Sequence, residues 1–140
     1  MIYPRHSSFP LSLWHLGLIL AACLLATHAG CDGNQQTPDR AIVSGIVTFS
    51  GQPLQGGSIT FQSAEQPTGT TVMIQAGGRY STDRAPLGKN LVTIETESLQ
   101  YGNAAAYVKI PAKYNDPTKS GLTADVKLGE NENVDFTLEK

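Results

Sequence analysis

Beyond residue 40, apolar and polar side chains alternate in short runs. Residues 42–49 are β-branched and aromatic, and Ser50-Gly51-Gln52-Pro53 ends the run. In residues 58–62, Ile59 and Phe61 face one way, and Ser58, Thr60 and Gln62 the other. Residues 70–75 repeat the pattern through Val72 and Ile74, and Gly77-Gly78 predicts a tight hairpin into residues 79–82. Residues 91–97 set Val92 and Ile94 on one face. Residues 122–128 alternate Leu122, Ala124, Val126 and Leu128 with polar neighbours. Gly129-Glu130-Asn131 predicts a turn, and residues 133–138 alternate Val134, Phe136 and Leu138. That makes seven candidate strands. No segment holds a 3.6-residue period over helix length, and no internal repeat or low-complexity tract stands out. Period-two alternation is what antiparallel sheets with one buried face produce. The expected class is all-β, a seven-stranded antiparallel β-sandwich.

Residues 98–121 break the pattern. This stretch of 24 residues holds no convincing strand, and loops of that length are often functional. Pro111 predicts a short helical turn through Tyr114, ended by Pro117. Tyr107-Val108-Lys109-Ile110 is a candidate edge strand.

The first 30 residues follow different rules. Arg5 supplies a positive charge, and residues 11–25 form an apolar run interrupted only by Ser12, His15 and Gly17. Fifteen residues suit the apolar centre of an export signal and fall short of the roughly 20 that a spanning helix needs. Ala29, Gly30 and Cys31 follow. A cysteine after two small residues at this point resembles the lipobox of bacterial lipoproteins, although His28 stands where that motif usually has an aliphatic. The resemblance implies cleavage before Cys31 and lipid attachment on its thiol. It also implies a location in the cell envelope, lipid-anchored and periplasmic or surface-facing. The expected organisation is a signal over 1–30, a polar tether over 31–40 and a β-sandwich over 41–140. Asp32-Gly33-Asn34-Gln35-Gln36-Thr37-Pro38-Asp39 has no apolar anchor, and as a flexible coil it spans about 16 Å.

Charge and composition narrow the functions. Net charge is −2, with 14 glycines and 8 prolines favouring a turn-rich chain. No basic stripe appears, so nucleic acid is not an expected partner. All three histidines, His6, His15 and His28, precede Cys31. The chain from Cys31 onward therefore has no side chain for a Ser-His-Asp triad, a Cys-His pair or a histidine-bearing zinc site. Cys23 lies inside the apolar run, which leaves Cys31 without an intrachain disulfide partner. Glu95 and Glu97 share one strand face in this reading, as a solvated polar face does. Asn115, Asp116 and Asp83 are the residues that would hold Ca²⁺ if loops met, but Asn115-Asp116-Pro117 reads more simply as a turn. No catalytic residue, metal or cofactor is expected.

Residues 43–49, Gly51-Gln52-Pro53-Leu54 with residues 56–61, Gly78-Arg79-Tyr80, and residues 110–117 continuing to Ser120-Gly121-Leu122-Thr123 together resemble the carboxypeptidase regulatory-like family of small bacterial envelope proteins. The resemblance spans about residues 41–138. It implies a transthyretin-like (prealbumin-like) sandwich and no enzymatic activity of its own. The family often places an aromatic before the strand after its Pro-x-Gly turn, and here Pro86-Leu87-Gly88-Lys89-Asn90 has Asn. Hydroxyisourate hydrolases share that fold but depend on histidines and a Tyr-Arg-Gly-Ser end, whereas this chain ends Phe136-Thr137-Leu138-Glu139-Lys140.

The expected function is a non-catalytic, membrane-anchored envelope module with a structural or protein-interaction role. The alternative is a carbohydrate or peptide receptor using the 98–121 loop. Its candidate contacts are Tyr101, Tyr107 and Tyr114, because exposed tyrosines offer rigid amphipathic area to an envelope protein or glycan. Tyr80 and Tyr114 are also placed to plug the ends of the sandwich.

Overall fold

A computed structural model describes residues 40–140; Cys31 and the expected signal and tether up to Asp39 lie outside them. Nine strand segments form: β1 (Ala41–Phe49), β2 (Gln52–Pro53), β3 (Ser58–Ser63), β4 (Gly69–Met73), β5 (Arg79–Thr82), β6 (Gly88–Glu95), β7 (Leu122–Val126), β8 (Gly129–Asn131) and β9 (Phe136–Leu138). A helical turn, α1 (Leu99–Gly102), and a 3-10 turn, η1 (Ala112–Asn115), complete the described elements. The 3-10 turn is the one Pro111 predicts.

The strands make two sheets. One is antiparallel throughout, in the order β4-β3-β6-β7. The other is built around β1, flanked by β2 and β5 on one side and by β8 and β9 on the other. The period-two pattern sorts the side chains. Val43 and Val47 of β1, Ile59 and Phe61 of β3, Val92 and Ile94 of β6, and Leu138 of β9 are all completely buried. These strands share one core across the two sheets, a sandwich-like arrangement. At its centre Phe61 meets Tyr80 and Phe136, with ring centroids 5.8 and 6.3 Å away.

Four expectations are corrected. The sandwich is not wholly antiparallel, because β8 and β9 both run parallel to β1. After β7 the chain crosses to the other sheet, and it enters alongside β1 in the same direction. The residues expected to turn, Gly129-Glu130-Asn131, are themselves β8, and the strand expected over 133–138 begins only at Phe136. Asn133, at φ 58°, breaks the extended run. Gly77 and Gly78 do turn the chain, both with positive φ, but β4 and β5 are not a paired hairpin. The Val47 amide donates to the Gly78 carbonyl, so the turn carries the chain from β4 in one sheet to β5 beside β1. Finally, residues 107–110 form no strand; Thr96 Oγ1 donates to the Val108 carbonyl over 2.7 Å and holds that run by a side chain instead of a ladder.

Candidate functional site

The groove identified among the described residues lies on the outer face of the β1 sheet. Its volume is about 510 Å³, and Ser44, Ile46, Arg79, Ser81, Glu132 and Asp135 line it. It exists because the strand beside β1 is interrupted. β8 pairs with Ala41–Val43 and β9 with Val47–Phe49, while residues 132–135 leave the ladder between them. The backbone groups freed there are satisfied locally. The Val134 amide donates to the Ser44 carbonyl, and the Ile46 amide donates to Asp135 Oδ1 over 2.7 Å. Tyr80 donates its hydroxyl to the Val134 carbonyl. Gly45 makes this possible, because a Cβ there would lie 2.1 Å from that same oxygen.

Tyr80 is 3% exposed, and its hydroxyl is held in the neutral form. Burial pushes its pKa well above the usual tyrosine range, and the negative charge of Asp135 adds to the effect. A raised folded pKa contributes stability that is fully present below the unfolded value near 10 and lost as pH climbs past it. Tyr80→Phe is expected to cost about 1 kcal/mol at pH 8 through the missing hydrogen bond. At pH 11 ionisation of the free phenol stabilises the unfolded wild type by about 1.4 kcal/mol, so the variant should match or exceed it. Urea denaturation at the two pH values checks this; an undiminished deficit at pH 11 would contradict it.

Chemically the groove offers recognition groups. It has an exposed guanidinium, two carboxylates, two hydroxyls and the apolar side chain of Ile46. Among the described residues, no groove hydroxyl bonds a carboxylate, and no three acidic, histidine or cysteine side chains converge to hold a metal. Asp83 is paired with Arg40 at 3.0 Å, and Asp116 accepts from the Thr118 amide and hydroxyl and from Lys119 at 2.9 Å. Those bonds hold the Asp116 carboxyl well below the usual carboxylate range, the Thr118 hydroxyl contributing most. Glu95 accepts from the Ser98 amide over 2.6 Å, whereas Glu97 is exposed in the turn.

No family model matches the chain, and no curated protein matches it at a significant level.

The three candidate tyrosines fall in different surroundings. Tyr101 sits on α1 and is 95% exposed. Tyr107 is half-buried. Tyr114 is buried on η1, with its hydroxyl accepting from the Glu139 amide at 2.9 Å and donating to the Glu139 carbonyl at 3.3 Å. Its ring and hydroxyl serve the core and the C-terminal segment, and Tyr80 is likewise buried. The groove itself was absent from the sequence-based expectations. Its signal was Gly45, a glycine inside an otherwise β-branched strand, which marks close approach of another backbone.

Proposed function

We propose that this protein is a lipid-anchored module of the bacterial envelope that acts by binding or scaffolding, not by catalysis. Its lipid is carried on Cys31. Its domain is of the transthyretin-like kind found in the carboxypeptidase regulatory-like family, as the Ile110–Thr123 motif suggests. The observation that carries the reading is the condition of the groove: its carboxylate Asp135 and the hydroxyl beneath it are engaged with backbone, leaving a shallow polar surface around Ile46. Lack of histidine from Cys31 onward supports the same view. An open groove with mixed charge and one apolar contact suits an envelope protein partner.

Photocrosslinking in intact cells tests this. A benzophenone side chain at Ile46 or Arg79 is expected to give one discrete protein adduct, and one at Thr71 on the other sheet none. Equal labelling from all three positions, or none from any, would overturn the binding role. Mass spectrometry of the mature protein tests the anchor; an unmodified N-terminus other than Cys31 would sink it.

A second reading rests on Tyr101. Its near-complete exposure on the 98–121 segment favours a stacking contact with a sugar or peptide. If envelope glycans bind the protein, Tyr101→Ala should abolish that binding with no loss of thermal stability.

A further inference from the structure

Two turns in this chain are built alike. Pro86-Leu87-Gly88-Lys89-Asn90 and Lys127-Leu128-Gly129-Glu130-Asn131 share Leu-Gly-x-Asn. In the first, Asn90 Nδ2 donates to the carbonyls of Pro86 and Gly88, at 2.7 and 2.9 Å. In the second, Asn131 Nδ2 donates to the carbonyls of Lys127 and Gly129, at 2.8 and 3.1 Å. Each carboxamide thus clasps the carbonyls of the two residues that flank one leucine. The glycine after each leucine takes the left-handed conformation, φ 85° at Gly88 and 91° at Gly129. The product is the same both times: a leucine held outward. Leu87 is 56% exposed and Leu128 58%.

Both leucines lie at one end of the sandwich. Gly88 pairs with Val126 where β6 begins and β7 ends, so the two turns leave the sheet side by side. The chain enters the domain at that end too. Ala41 pairs with Gly129, and the Gly129 amide donates to the Arg40 carbonyl over 3.0 Å. Burying a leucine side chain is favourable by roughly 1.5–3 kcal/mol, so rigid display of two in water is a standing cost unless something covers them.

We infer that this end of the domain, through Leu87 and Leu128, rests in the interface of the bilayer that holds the chain. The inference rests on the lipid-anchor reading of Cys31. Arg40 is nine residues from Cys31, so even a fully extended connection reaches at most about 30 Å. That is close to the diameter of a 100-residue domain, for which the radius of gyration is about 13 Å. As a flexible coil that connection spans only about 16 Å, roughly half the diameter, so the anchor keeps the end bearing Arg40 nearer the membrane than the opposite end. Charge does not drive the contact. Asp83 pairs with Arg40 and lies near Arg84, and Lys89 stands opposite Asp125 in the β6–β7 register. Lys127 is the one further cation in the two turns, and Glu130 offsets it. Contact through the leucines alone should be insensitive to salt.

The chain from Cys31 onward contains no tryptophan, so a single introduced one reports its own surroundings. Leu87→Trp, Leu128→Trp and Met73→Trp would each be made in the full chain and purified as mature protein. Each would be reconstituted in phosphatidylethanolamine–phosphatidylglycerol vesicles with brominated acyl chains. Met73 is exposed at the opposite end of β4 from these turns and serves as the control. Tryptophan at 87 and 128 is expected to shift to the blue and lose about half its emission, as groups 5–10 Å into the interface do, with Met73→Trp unchanged. Equal emission at all three positions, in protein whose Cys31 lipid is verified by mass spectrometry, overturns the inference and leaves the anchor reading intact. Protein without that lipid overturns the anchor reading. The same vesicles are then added to it: quenching at 87 and 128 sustains the leucine contact, and its absence ends it. A dimer in detergent that Leu87→Ser with Leu128→Ser dissociates would also overturn the inference, since a second copy would then cover this face.

Discussion

Gly45→Ala is expected to cost about 4–6 kcal/mol and lower the melting temperature by about 15 °C or more. The added Cβ would stand 2.1 Å from the Val134 carbonyl oxygen and 2.6 Å from its carbon. Both atoms are backbone, so no side-chain rotation relieves the overlap. Residues 134–135 must move, and three hydrogen bonds move with them: Tyr80 hydroxyl to Val134, Val134 amide to Ser44, and Ile46 amide to Asp135. Each contributes about 1 kcal/mol, and overpacking adds about 1–3. Gly51→Ala is the control. Its φ of +78° disfavours a side chain, but nothing lies within 4 Å, so about 1–2 kcal/mol is expected. Thermal melts of both variants decide the matter; equal losses would mean that the Val134 backbone yields to the added methyl at little cost.

Phe61→Ala should be as damaging for the opposite reason, by emptying space. Phe61 is completely buried on β3 and is the aromatic that reaches both Tyr80 on β5 and Phe136 on β9. It therefore joins the two sheets. Removing a buried phenyl costs about 3–5 kcal/mol from lost transfer energy and the cavity left behind. A domain of this length has only about 5–15 kcal/mol in total, so the variant is expected at the edge of folding at 37 °C. Phe61→Leu keeps most of the volume and should lose about 1.5 kcal/mol or less. Urea denaturation separates them, and near-equal midpoints would show that the sheets are held together elsewhere.

Side-chain alternation carried much of the fold. Ile59 and Phe61, Val92 and Ile94, and Ala124 and Val126 are buried as their period-two spacing requires, and β5, β7 and β9 fall within the expected runs. Pairing partners were less legible. Alternation says which face of a strand is buried and nothing about which neighbour it meets. Gly129 and Asn133 do have the positive φ of turn residues, yet the residues between them are drawn alongside β1 and become β8. The Gly77-Gly78 turn was legible, but the exit of β5 to the other sheet depends on the docking of that turn against Val47, a long-range contact. Among the tyrosines, Tyr80 and Tyr114 are both buried. Asn90 is completely buried and clasps the preceding turn, with its Oδ1 left without a partner among the described residues. The Leu-Gly-x-Asn pair is too short to register as a repeat; its likeness emerges only from the matching pair of bonds that each Nδ2 donates within its turn, while Asn131 Oδ1 also accepts from the Lys127 amide.

The parallel pairing of β1 with β9 also has a mechanical consequence. Tension between residue 40 and residue 140 pulls β1 from its beginning and β9 from its end. In a parallel pair those points are at opposite ends, so the bonds joining Val47–Phe49 to Phe136–Leu138 are sheared together and do not unzip singly. The Tyr114 hydroxyl, gripping Glu139 just beyond β9, adds a stop against sliding. Tension drawn through the two ends of the domain would therefore load these bonds in shear, several at once.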